Sequence, residues 1–301
     1  DLWMRVIILG GSSMLGHRLY SELSERMEVW ATFRSEPDEY RQFSPIFQKK
    51  ALSNICVDKI IGFEKILDRI QPNVVINCIG IIKQRDEAKH AIPSIQVNSL
   101  FPHKLSKLCN ERNIRLLQIS TDCVFSGLKG QYRETDIPDP VDLYGRTKLL
   151  GELDNTGSLT LRTSIIGWQL NTFSSLLSWF YQQRGKQIKG YHRAVYTGFS
   201  TRVLAELIGD IIETRPELSG LYHVASKPIS KYDLLVSLRE KLMWDDIKIA
   251  RDDDFFCDRS LIGTRFNAEM EWTPPEWEEM LSGLAKEWPN YEKWYKQNIE
   301  S

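Results

Sequence analysis

The chain has 301 residues, 42% of them hydrophobic and 26% charged, with a formal net charge of −1. This is ordinary globular composition, long enough for one large domain or two moderate ones, and its near-neutral balance excludes nucleic acid and anionic membrane as expected partners. The apolar run Val74–Ile82 is far too short to cross a bilayer. The five scattered cysteines (Cys56, Cys78, Cys109, Cys123, Cys257) form no C-x-x-C pair, which predicts a reduced, cytoplasmic protein without a structural zinc, and nothing in the spacing of the histidines points to another metal.

Arg5–Gly10 reads as a buried strand, followed by an apolar-periodic helix from about Met14 to Arg26. Further strands are expected at Glu28–Phe33, Ser53–Val57, Asn73–Gly80, Ile114–Ser120 and Leu159–Ser164. Helices are expected between them, one ending before Gln71, a long one over Pro93–Asn113 and one starting near Tyr144. Alternation of helices with near-continuous apolar strands is the pattern of a parallel sheet covered on both faces. The fold class is therefore α/β, a doubly wound, Rossmann-type sheet. After about Gly167 the pattern loosens. Helices are expected at Asn171–Arg184, Arg202–Thr214, Lys231–Lys241 and Glu276–Lys286, with a short strand or loop at Leu221–Ala225. The expected organisation is a first domain over 4–166 and a smaller mixed lobe over 167–301, packed on it with chain crossovers allowed.

The stretch LGGSSMLGHRL (Leu9–Leu19) lies between the first strand and the first helix. Backbone amides and a helix N-terminus there can hold a pyrophosphate. Gly10 permits the sharp turn, Ser12, Ser13, Met14 and Leu15 continue it, and Gly16 lets the helix approach the sheet. An acid ending the second strand would suit NAD; Arg34 stands there instead, and a guanidinium suits the 2′-phosphate of NADP. NADP(H) is the preferred cofactor on this reading, with NAD(H) as the alternative. Asp58 is placed to accept from the adenine amino group.

The stretch DLYGRTKLLGE (Asp142–Glu152) puts Tyr144 and Lys148 four residues apart, on one helical face. An ammonium near a phenol lowers its pKa, which would make Tyr144 a usable proton donor and acceptor. The same spacing is common on solvated helices, so the surrounding motifs decide.

Those motifs are Gly10…Gly16, NCIG at Asn77–Gly80, VN at Val97–Asn98 and STD-VF-G from Ser120. YGRTK--GE from Tyr144, LRTS from Leu161 and GLYHVAS from Gly220 follow. Together they cover nearly the whole chain and resemble the extended short-chain dehydrogenase/reductases, most closely the dTDP-4-dehydrorhamnose reductase branch. The resemblance implies Thr121, Tyr144 and Lys148 as the catalytic set. Tyr144 would protonate a carbonyl oxygen as hydride arrives from the nicotinamide, Lys148 would lower the tyrosine pKa and bind the nicotinamide ribose, and Thr121 would bond the substrate oxygen. It also implies that Cys78, Ile79, Gly80 and Asn98 belong to the cofactor site. The implied substrate is the 4-keto group of a 6-deoxy-hexose carried on dTDP, UDP or GDP, supplying a deoxysugar for surface polysaccharide. Candidate substrate contacts are Lys83 with Gln84, Asp122, Cys123, Arg162 and Thr163. Lys189, His192, Arg193 and Arg259 are candidates for its diphosphate.

Three departures stand out. Ser13 replaces the usual middle glycine, a position expected to need a permissive backbone angle. Cys123 replaces the tyrosine of the branch, and residues 81–96 do not match its charged motif. The glutamate that 4,6-dehydratases carry after the Thr-Asp pair is absent, since Cys123 follows Asp122. The alternatives are a nucleotide-sugar epimerase of the same superfamily and a non-catalytic NADP-binding regulatory subunit. His17 and His223 read as packed or surface residues, and a homodimer is the default if the protein associates.

Overall fold

The computed structural model describes residues 3–35, 47, 50–57, 60–82 and 90–300. Its strands are β1 (Arg5–Leu9), β2 (Glu28–Thr32), β3 (Ala51–Leu52), β4 (Val74–Asn77), β5 (Arg115–Thr121), β6 (Ser158–Thr163), β7 (Ile165–Ile166), β8 (Gln187–Tyr196), β9 (Phe199–Ser200), β10 (Gly220–His223), β11 (Ile229–Ser230) and β12 (Lys248–Asp258). Seven of them make one sheet in the order β10-β6-β5-β4-β1-β2-β3, with every pairing parallel. A second sheet, β11-β8-β12, and the short pair β7-β9 come from the C-terminal half.

The period of two along each strand sends alternate residues to opposite faces. Val6 and Ile8 pack into one cluster with α1 (Met14–Leu23), and Ile7 and Leu9 into another with α2 (Ile60–Ile70). The first cluster runs on without a break into the C-terminal half, through Trp168, Ile208 and Tyr295. Strands β1 and β4 are neighbours at the centre of the sheet, where the strand order reverses. A crevice therefore opens beyond their C-terminal ends, the usual place for a ligand in such sheets.

Several elements differ from expectation for identifiable reasons. The third strand lies at Ala51–Leu52 rather than Ser53–Val57, because Asn54 adopts φ 59° and ends the extended run. The long helix over 93–113 is divided into α3 (Ala91–Ile95), a π-turn at Gln96–Leu100 and α4 (Phe101–Asn110). The next helix, α5 (Leu143–Leu150), carries the Tyr/Lys pair. The helix expected at Asn171–Arg184 shrinks to α6 (Leu176–Tyr181), since Thr172 and Phe173 hold φ of 62° and 39°. Leu221 belongs to β10, so the C-terminal half adds a strand to the main sheet and also covers it with α7 (Thr201–Thr214).

After α8 (Lys231–Leu242) and α9 (Thr264–Met270), the last helix, α10, runs from Trp277 to Ile299, well past Lys286 and through Pro289. A proline costs an internal helix about 3 kcal/mol. Beyond it Tyr291, Trp294 and Tyr295 are all buried, and each large side chain removed from water returns roughly 1.5–3 kcal/mol. No helix among the described residues is long and apolar enough to cross a membrane.

Candidate functional site

The turn after β1 is built around two glycines. Gly10 has φ +86°, and a Cβ at Gly16 would sit 2.0 Å from the Gly10 carbonyl oxygen. Ser13 caps α1: its Oγ accepts from the Gly16 amide at 2.9 Å and donates to the Gly10 carbonyl at 2.7 Å. Its φ and ψ are −69° and 163°, so the permissive angle expected for a glycine replacement is not required. The amides of Met14 and Leu15 fall in the first turn of α1, where helix geometry leaves N–H groups without an internal partner. The amide of Gly11 donates to Thr32 O at 2.8 Å, tying the turn to the end of β2 two residues before the exposed Arg34. Asn171, on the loop before α6, donates to Ser12 Oγ at 3.3 Å.

His17 is buried behind this turn. Burial lowers its pKa to about 4, so the ring is neutral. One ring nitrogen lies 2.8 Å from the Ser13 carbonyl and the other 2.7 Å from the Tyr291 hydroxyl. A carbonyl only accepts, so Nδ1 carries the proton and Tyr291 donates to Nε2.

A cleft of about 580 Å³ extends from this turn across the ends of β4 and β5 to the C-terminal half. It is lined by Ser13, Met14, Leu15, Cys78, Ile79, Gly80, Thr121, Asp122, Cys123, Tyr144, Lys148, Thr163 and Arg259, all residues singled out from the sequence. Thr121 ends β5, and its hydroxyl accepts from the Cys123 amide at 3.1 Å and neighbours the Tyr144 phenol. Asp142 caps α5 by accepting from the Gly145 amide at 2.8 Å, which seats Tyr144 and Lys148 over the strand ends. Lys148 is 8% exposed and its Nζ donates to Ile119 O at 2.7 Å.

The electrostatics correct one expectation. Burial, then the nearby Cys123, Asp122 and Asp142, push the Tyr144 phenol well above its ordinary value, opposed by the neighbouring Thr121 hydroxyl. The lowering expected from Lys148 does not prevail, because that ammonium is turned to the Ile119 carbonyl. Burial instead lowers the Lys148 pKa to about 8, against the opposing charge of Glu152. Tyr144 is therefore a phenol at neutral pH. Burial also pushes the Asp122 carboxyl up and the Cys78 thiol up to about 12.

Asn98 sits beneath the cleft rather than on its wall. Its Oδ1 accepts from the Ile81 amide at 2.9 Å, and its Nδ2 donates to Ile81 O at 3.1 Å and Thr147 Oγ1 at 3.2 Å. It braces the Gly80 loop against α5. Arg162 is not on the wall either: it is buried, and its fork closes on Glu152 at 2.8 and 2.7 Å. Lys189 pairs with Asp252 at 2.8 Å, His192 lies 3.2 Å from Asp253, and Arg193 lies over the Phe256 ring at 5.0 Å. None of the three lines the cleft, so of the proposed diphosphate cations only Arg259 does. Asp58, Lys83 and Gln84 lie outside the described residues.

Sequence reasoning missed the far wall, which includes Gln169, Asn171, Thr172, Tyr196, Lys231 and Phe255. Lys231 begins a helix whose cap, Ser230, accepts from the Asp233 amide at 3.0 Å. The serine–aspartate spacing marks that helix start but says nothing of a cleft. Phe255 reaches the cleft through a register shift in β12 between Asp252 and Phe256, which no spacing rule reveals.

The ensemble fits a dinucleotide, since the N-terminus of α1, held by a turn that leaves no room for a Gly16 side chain, opens at Ser13, Met14 and Leu15 onto the cleft. A family model, the RmlD substrate-binding domain, matches residues 4–250. Among curated relatives, the chain is 29% identical over 249 residues to dTDP-4-dehydrorhamnose reductase of Aggregatibacter actinomycetemcomitans, covering 78% of each chain. It is 30% identical over 168 residues to methionine adenosyltransferase 2 subunit beta of Bos taurus, covering 54% of this chain and 47%, about half, of that relative. Among solved structures, dTDP-4-dehydrorhamnose reductase of Bacillus anthracis in complex with NADP matches with a TM-score of 0.77 at 20% identity. That match covers 95% of this chain and 100% of the other.

Proposed function

Because the chain belongs to the RmlD substrate-binding-domain family, we propose that it is an NADPH-dependent reductase of the 4-keto group of a nucleotide-linked 4-keto-6-deoxy-hexose. The observation that carries this reading is the meeting of Thr121, Tyr144 and Lys148 in the cleft that begins at the Ser13–Leu15 turn. A dTDP-4-dehydrorhamnose reductase as a curated relative and one holding NADP as a fold neighbour support it.

Gly10, Ser12, Met14, Leu15 and Gly16 would form the pyrophosphate seat, Arg34 would meet the 2′-phosphate, and Cys78, Ile79 and Gly80 would flank the nicotinamide half. Bound there, the dinucleotide supplies the hydride. Tyr144, a phenol at working pH, gives its proton to the substrate oxygen as negative charge develops there. Thr121 holds that oxygen beside the phenol, and the Lys148 ammonium adds positive charge beneath the site. Asp122, Cys123 and Thr163 contact the sugar, while Arg259 meets the diphosphate. The product would supply a deoxysugar for surface polysaccharide.

The test is oxidation of NADPH and NADH against dTDP-, UDP- and GDP-linked 4-keto-6-deoxy sugars. Rapid oxidation with one member supports the reductase and identifies its nucleotide. Intact cofactor binding with no turnover across the panel favours a second reading, in which the chain serves as a partner subunit of another enzyme. The similarity to a methionine adenosyltransferase subunit motivates that reading.

A further inference from the structure

Glu152 lies four residues beyond Lys148 and eight beyond Tyr144, just past the end of α5. Its side chain is 8% exposed and that of Arg162 5%. The carboxylate accepts from Arg162 Nε at 2.8 Å, from Arg162 Nη2 at 2.7 Å and from Ser120 Oγ at 2.6 Å. The remaining Arg162 nitrogen donates to His223 Nε2 at 3.2 Å, and His223 Nδ1 donates to Tyr132 O at 3.0 Å. Every strong group in this buried chain therefore has a partner.

Such a pair is a poor source of stability, because desolvating two charges offsets most of their attraction. Its position suggests another use. Ser120 stands on β5 between Ile119, whose carbonyl receives the Lys148 ammonium at 2.7 Å, and Thr121 at the head of the cleft. One carboxylate thus ties β5 to the end of α5 at the residue between two working positions. The charged or titratable groups acting on Lys148 are Glu152 beyond α5 and Cys78 after β4, with Tyr144 one turn earlier on α5 itself.

We propose that Glu152 is a positioning residue for the reduction: clamped by Arg162, it holds the Ser120 rung of β5 against α5, and with that rung the adjoining Ile119 carbonyl on which the Lys148 ammonium rests. This rests on the reductase reading of Tyr144 and Lys148. It also accounts for Arg162, which the motif order assigned to substrate and the fold turns inward.

The test pairs Ser120→Ala, which removes one hydrogen bond and leaves the ion pair, with Glu152→Gln, which removes the charge. With NADPH and a dTDP-linked 4-keto-6-deoxy-hexose, Ser120→Ala should lower kcat about tenfold while leaving KM and NADPH affinity within about twofold. In Glu152→Gln the alkaline fall of kcat should move to lower pH by about one unit. A readout free of turnover accompanies them: the pH dependence of Lys148 acetylation by acetic anhydride, followed by mass spectrometry, should shift the same way. Unchanged kcat in Ser120→Ala, or an unshifted Lys148 acetylation curve in Glu152→Gln, overturns the proposal. If Glu152→Gln does not fold, Ser120→Ala decides alone. If the wild-type protein reduces no sugar, the reductase reading falls, and the acetylation curve still judges the Glu152–Lys148 link.

Discussion

Ser13 and Gly16 close the first turn on each other: the Ser13 hydroxyl accepts from the Gly16 amide at 2.9 Å while giving its proton to the Gly10 carbonyl at 2.7 Å. Two expectations follow. Gly16→Ala forces a Cβ to within 2.0 Å of that carbonyl, so the turn must open, and NADPH affinity measured by calorimetry should fall at least about tenfold. Ser13→Ala removes the cap, which costs about 1 kcal/mol in a denaturant melt. It should leave NADPH affinity nearly unchanged, because that hydroxyl proton is already committed. A large loss of NADPH affinity in Ser13→Ala would show that the hydroxyl serves the ligand instead.

Tyr144→Phe removes the proton and leaves the ring. Turnover should fall by about 10²–10⁴-fold with NADPH binding nearly intact, as read by stopped-flow oxidation and by calorimetry. Near-native turnover would remove Tyr144 from the acid role. The phenol is held above its ordinary value, so it does not ionise through the neutral range. Lys148, lowered to about 8 by burial, is the group expected to shape the profile. Protonated below that value and neutral above it, Lys148 should give a rate that is level near pH 7 and declines as pH rises through about 8.

Much of this site was legible in the chain because parallel strands and the turns after them are local. The run Arg5–Leu9, the glycines behind it and the tyrosine–lysine spacing each speak through a few consecutive residues, and of the residues they nominate Ser13, Met14, Leu15, Tyr144 and Lys148 line the cleft. The far wall was not legible. Asn171 and Thr172 reach the cleft through positive φ angles at Thr172 and Phe173, which no composition rule anticipates. Phe255 arrives by a shifted register between two strands about sixty residues apart in sequence. Arg162 shows the opposite failure: its motif was recognisable, but its partner Glu152 decides which way the guanidinium points. The helix through Pro289 was hidden for a similar reason, since local propensity argued for a stop that buried aromatic packing overrides.

Arg34 is exposed two residues past the end of the strand that the Gly11 amide grips through Thr32. Arg34→Ala should weaken NADPH about tenfold or more and NADH far less, because only the former carries the 2′-phosphate that a guanidinium pairs with. Parallel titrations with both dinucleotides measure the difference directly. Equal losses would mean that Arg34 acts on something the two cofactors share.

The contact between His17 and Tyr291 joins the cofactor turn to the last helix, and its chemistry makes a pH-dependent stability measurable. In the folded protein His17 stays neutral down to about pH 4, whereas its ordinary value is 6.5. Between those limits the unfolded chain binds a proton that the folded chain refuses, so stability falls as the solution is acidified from 6.5 towards 4. At roughly 1.4 kcal/mol per pH unit, the histidine should cost about 2 kcal/mol between pH 7 and pH 5. His223, also buried and lowered to about 4, adds a loss in the same direction. His17→Gln has nothing to titrate in this range, so its urea-melt stability should decline less over that interval, by about the 2 kcal/mol assigned to His17. Tyr291→Phe instead leaves the His17 Nε2 without its donor, and should lower stability by roughly 1–3 kcal/mol at pH 7. Parallel pH dependence in wild type and His17→Gln would mean that the ring takes up its proton without unfolding, and that the turn and the last helix can part locally.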